Sequence, residues 1–117
     1  MIFKETLESL GVDYEIVKQR FSNNESLIKK FVLKFPDDAT YQQLQTAVQL
    51  ADYDKVLMMA HTLKGLSANL GFEKLSLRCS ELVQYLREGH TQNVAYLNGA
   101  ITEEYNKIIE GLTLVDY

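Results

Sequence analysis

The sequence predicts an all-α protein: an antiparallel four-helix bundle over about residues 40–110, with additional short N-terminal helices. Three observations carry this. Apolar residues recur at three- and four-residue spacing along most of the chain. Most of the six glycines follow such a segment, where a left-handed helix C-cap is favoured. Sustained alternation of apolar and polar residues, the mark of a half-buried strand, is absent.

The elements follow in order. A short first helix covers about residues 2–10, with Phe3, Leu7 and Leu10 at helical spacing. Asp13 is placed to cap a second, carrying Tyr14, Val17 and Phe21. Asn24 caps a third, in which Leu27, Ile28, Phe31, Val32 and Phe35 form a broad apolar stripe ended by Pro36. Beyond Asp37 and Asp38, a fourth is marked by Tyr41, Leu44, Ala47, Val48 and Ala51. Asp52 caps a fifth that runs to Leu70 and is broken by Gly71. The sixth has an apolar face of Phe72, Leu75, Cys79, Leu82, Val83 and Leu86. Thr91 opens the last, with Val94, Leu97, Ile101, Tyr105, Ile108 and Leu112 in phase.

Gly11, Gly71, Gly89 and Gly111 are read as helix stops, and Gly99 as the site of a close helix contact. The four segments from Tyr41 onward are long and joined by short connections, as antiparallel neighbours should be. Residues 113–117 are read as a tail.

Composition narrows the function. The 117 residues are 46% hydrophobic, enough for one core, so residues 1–117 are expected to form one domain. Twelve basic against sixteen acidic residues leave a net charge of −4, which argues against a nucleic-acid partner. A single cysteine, Cys79, makes neither an internal disulfide nor a cysteine zinc site, and it falls on an apolar stripe. His61 and His90 form no metal-ligand spacing with it. No apolar run approaches the roughly 20 residues that span a bilayer, and the N-terminus lacks a signal-peptide pattern. A cytoplasmic protein is expected, with the starting Met taken as favouring a free-standing one.

The fifth helix carries the information. At about 100° per residue, Val56, Met59, Leu63, Leu66, Ser67 and Leu70 fall in a sector centred roughly 200° from His61, with Ala60 at its margin. His61 therefore points to solvent. Near it on the wheel lie Leu57, Met58, Lys64, Gly65 and Ala68. An interior glycine costs a helix about 1 kcal/mol relative to alanine. Gly65 is off the core sector, so close helix packing does not account for it. Instead, it leaves the imidazole open to a large molecule.

The set makes chemical sense. An imidazole, with an ordinary pKa of about 6.5, is largely neutral and nucleophilic near neutral pH. It can take a phosphoryl group from an activated phosphate as a phosphoramidate. Lys64 can stabilise the phosphoryl oxygens, and Gly65 gives in-line access. So exposed a site has few groups of its own, so positioning and any Mg²⁺ must come from the partner.

The run Ala60-His61-Thr62-Leu63-Lys64-Gly65-Leu66-Ser67-Ala68-Asn69-Leu70-Gly71 resembles the signature of histidine-containing phosphotransfer (HPt) domains, broadly H-x-x-K-G-x-[small]-x-x-x-G. The likeness in layout extends over about residues 25–110. It implies that His61 accepts phosphate at Nε2, Lys64 assists the phosphoryl oxygens, Gly65 gives access and Ser67 is a packing position. It implies aspartate-bearing receiver domains as partners, with a hybrid histidine kinase as a further candidate. Some members place a Gln of the next helix near the imidazole, where Val83 or Gln84 stands here. Leu57, Met58, Ala68 and Phe72 are the expected partner-binding patch, with Phe3 and Leu7 more readily read as core.

A phosphorelay intermediate is the resulting expectation. It should be a monomer without cofactor or metal, bind neither nucleic acid nor membrane, and not be an autonomous enzyme. No Walker motif or kinase-type glycine loop is present, and the H-E-x-x-[ST]-P context of a sensor-kinase histidine is missing. A phospho-accepting domain of a larger hybrid or chemotaxis-type kinase is one alternative. A phosphorylation-independent adaptor docking through Leu57, Met58 and Phe72 is another.

Overall fold

The computed structural model describes residues 2–115, and its described residues form seven α-helices and no strand. Their bounds are α1 Phe3–Ser9, α2 Tyr14–Arg20, α3 Glu25–Lys34, α4 Thr40–Gln49, α5 Tyr53–Asn69, α6 Glu73–Arg87 and α7 Val94–Leu112. A 3₁₀ turn over Phe35–Asp37, holding Pro36, separates α3 from α4. The fold class is the expected one. α4, α5, α6 and α7 pack in a ring, each against the next in sequence and α4 against α7.

Local chemistry sets the starts of three helices. The carboxylate of Asp13 accepts from the Ile16 amide, the side chain of Asn24 from Leu27, and the carboxylate of Asp52 from Lys55. Gly11, Gly71 and Gly89 each adopt a positive φ after a helix. Between α4 and α5 the same left-handed position falls to Ala51, at φ 52°.

Several expected details are corrected. Gly111 does not stop a helix; it lies inside α7, where the side chain of Leu10 covers the place of a Cβ at 2.8 Å. Gly99 is exposed and a Cβ there would meet nothing within 4 Å, so the close contact belongs to Gly111. The last helix starts at Val94, not Thr91, because the preceding turn is tied instead to α6: the Asn93 amide donates to the Tyr85 hydroxyl at 2.8 Å. The tail is not wholly free, since Val115 is buried in the core; Asp116 and Tyr117 lie outside the described residues.

One hydrophobic cluster runs through all seven helices, with Leu7, Ile28, Leu44, Val56, Leu75 and Ile101 among its fully buried members. Polar pairs close the ring between α4 and α7. The amides of Gln45 and Asn98 donate to each other at 3.0 and 2.8 Å, and the Tyr41 hydroxyl donates to Thr102 at 2.9 Å. The Tyr41 ring stacks on Tyr105 at 3.7 Å. Such directional bonds fix the axial register of two helices that apolar packing alone would leave free to slide.

Candidate functional site

Every residue of the expected phosphoryl site is presented by α5. Val56, Ala60, Leu63, Ser67 and Leu70 are its buried stripe, while Met59 and Leu66 are only half-buried. Ala60 is fully buried and closes one edge of this arc, at the margin where the wheel places it. His61 remains on the far side and is exposed. It makes no hydrogen bond or ion pair among the described residues, so both ring nitrogens are free.

Gly65 is exposed one turn further along, and a side chain there would meet no other atom within 4 Å. Its cost to the helix is therefore not offset by packing. It leaves a notch beside the imidazole. Lys64 is half-buried, and among the described residues its ammonium group is in no ion pair. Its main chain is held firmly instead. The hydroxyls of Ser67 and of Ser76, on α6, both donate to the Lys64 carbonyl at 3.1 Å. Ser67 also donates to Leu63 at 2.7 Å. The Ser67 bonds stay within α5, while the Ser76 bond crosses from α6 and ties the turn that carries the lysine to the neighbouring helix.

The apolar fringe divides. Met58 is 61% exposed, and Leu57 and Ala68 are half-buried. Phe72 does not join them. It is 2% exposed and its ring lies 5.3 Å from that of Phe35, inside the core. Gly71 reverses the chain between the two helices, so a wheel drawn on α5 does not extend to residue 72. Leu7 is likewise fully buried, and Phe3 is half-buried with its ring edge-on to Tyr14 at 6.4 Å.

Two features had no signal in the sequence. Arg20 of α2 donates from Nη1 to the carbonyls of Ala68 and Asn69, both at 2.8 Å, and so caps the end of α5. An open groove of about 290 Å³ lies on the other flank of α5, lined by Phe31, Phe35, Leu66 and Leu70 with Lys34 and Asn69 at its edges. Neither Val83 nor Gln84 offers the imidazole a polar group. Val83 is buried, and Gln84 is exposed and donates to Glu88 at 2.9 Å.

His90 is exposed in the turn after α6, beside the Glu88 carboxylate at 3.9 Å. Among the described residues no three His, Cys, Asp or Glu side chains gather where a metal ion could sit. No helix of the described residues is long and apolar enough to cross a membrane.

An exposed, unbonded histidine at mid-helix, a lysine three residues on and an open glycine at the fourth can receive a group from a large donor. Comparison with known proteins agrees. No curated protein and no solved structure matches the chain. The family model described as the Hpt domain matches residues 27–111, well over half of its length. The chain therefore belongs to the Hpt domain family and has a phosphotransfer function in two-component signalling.

Proposed function

We propose that this chain relays a phosphoryl group between the aspartates of response-regulator receiver domains through His61. The observation that carries the reading is the pairing of an exposed, unbonded imidazole with the open notch at Gly65. An aspartyl phosphate can approach Nε2 in line there. The Nε2 lone pair forms the N–P bond as the P–O bond to the aspartate breaks, and the departing electron pair stays on the carboxylate. Lys64 meets the phosphoryl oxygens. Nothing else on the exposed face of α5 stabilises a transition state, so Mg²⁺ and the remaining charge stabilisation come from the receiver. The chain is then a carrier without catalysis of its own, working in the cytoplasm as a monomer whose docking face is Leu57, Met58 and Ala68.

The test mixes radiolabelled, phosphorylated receiver domains from the source organism with wild type and His61→Ala. Label moving only to wild type, stable to base and labile to acid, supports the relay. Intact receiver binding by both proteins with transfer to neither supports a phosphorylation-independent adaptor.

A further inference from the structure

The side chain on α6 that faces the phosphoryl group can be found from the register of the two helices. α5 and α6 are joined by the short turn at Gly71 and run antiparallel. The hydroxyl of Ser76 fixes their register, since its bond to the Lys64 carbonyl sets these two residues at one level. One turn further along α6, about 6 Å on, is Ser80. The same step taken backward along α5 reaches Ala60 and His61. On their wheels, Ser80 stands about 40° from Ser76 and His61 about 60° from Lys64, both rotated toward solvent. The two side chains thus rise from the same level on either side of the α5/α6 seam.

The state of Ser80 fits a waiting group. Four Ser or Thr hydroxyls occur on α5 and α6. Those of Thr62, Ser67 and Ser76 donate to main-chain carbonyls. Ser80 has no hydrogen-bond partner among the described residues. It is half-buried and lines a shallow open depression on the outer face of α6, with Leu77, Glu81, Gln84 and Tyr85 beside it and Leu97 of α7 beyond. A polar group this accessible, left unbonded at the level of an unbonded imidazole, matches an acceptor that arrives only with the phosphate.

Resting on the relay reading above, we propose that Ser80 is a positioning residue whose hydroxyl donates a hydrogen bond to a phosphoryl oxygen on His61. With Lys64 it holds the group from the α6 side, leaving the Gly65 side open to the receiver. The phosphoryl group so held is more easily kept as a dianion, because a donor favours the charged form.

The test uses the full chain carrying His90→Gln, so that His61 is the one histidine. Phosphoramidate, a small phosphoryl donor, charges it: the P–N bond of the reagent breaks, ammonia leaves and the N–P bond to Nε2 forms. The phosphorus resonance is then followed against pH in this protein and with Ser80→Ala or Ser80→Thr added. Ser80→Ala should raise the pH at which the phosphoryl group protonates by about half a unit or more, as loss of a charge-assisted bond requires. Ser80→Thr should restore it, and melting should be the same in all three. An unchanged titration in a fully charged Ser80→Ala protein overturns the role of Ser80 while leaving the relay standing. Failure of His61 to charge at all contradicts the relay, and the role of Ser80 with it.

Discussion

The guanidinium of Arg20 ends the site helix: its Nη1 lies 2.8 Å from the carbonyl of Asn69, two turns beyond His61. The same nitrogen reaches Ala68 at 2.8 Å. Arg20 precedes the stretch matched by the family model, so a residue outside that stretch holds the helix that presents the histidine. Loss of both bonds in Arg20→Ala should cost about 1 kcal/mol, as expected for an exposed cap with a cation at a helix C-terminus. Urea denaturation reads the loss, and amide exchange should quicken first at the C-terminal end of α5.

Two glycines in one helix and its cap should respond with opposite signs to the same substitution. Gly71 has φ 86°, and a Cβ there would stand 2.7 Å from the Cγ2 of Val17. Gly71→Ala should therefore destabilise by about 2 kcal/mol or more. Gly65 has helical geometry and open space, so Gly65→Ala should stabilise by about 0.5–1 kcal/mol. Gly65→Arg should also fold normally but slow receiver-to-carrier transfer at least tenfold by filling the notch. Thermal melts and transfer time courses separate the two effects.

Phe72 and Met58 distinguish the core from the proposed docking surface. Phe72→Ala empties a buried ring site and should cost about 3–5 kcal/mol. Met58→Ala changes an exposed side chain, so stability should hold within about 0.5 kcal/mol while receiver affinity falls. Calorimetry of folding and of receiver binding reads both.

How much of this was legible follows from what kind of signal each feature leaves. The bundle helices were readable because each must bury one stripe, and the caps at Asp13, Asn24 and Asp52 because short polar side chains satisfy orphan amides. His61, Lys64 and Gly65 were readable because their phase on α5 placed them off that stripe. Phe72 was misplaced because periodicity carries no information across a chain reversal. Gly99 and Gly111 exchanged roles because a glycine does not reveal what lies opposite it, and only Leu10 from α1 does. Arg20 and Ser76 left no trace because their acceptors are main-chain carbonyls, which every residue has.

The buried thiol of Cys79 sets an alkaline limit. Burial pushes its pKa from an ordinary 9.0 up to about 12. Burial, and then the hydrogen bond to Glu25, likewise raises Tyr14 to about 12. Both groups are neutral when protonated, so the folded state holds these protons more tightly than the unfolded chain. Their contribution is full below about pH 9 and is lost as pH rises toward about 12. The urea midpoint should be flat from neutral pH to about 9 and then fall, less steeply in Cys79→Ala. A thiol reagent at pH 8 should label Cys79 only once urea has opened the core.

The most direct measurement locates the phosphoryl group itself. After brief transfer from a phosphorylated receiver, the protein is fragmented under mildly alkaline conditions and the modified residue is mapped by mass spectrometry, with phosphorus resonances identifying the nitrogen. The relay predicts one stoichiometric modification, on Nε2 of His61, reversed when fresh unphosphorylated receiver is added. Phosphate on His90 or a hydroxyl side chain, or an unmodified His61 in a protein that binds the receiver, would contradict it.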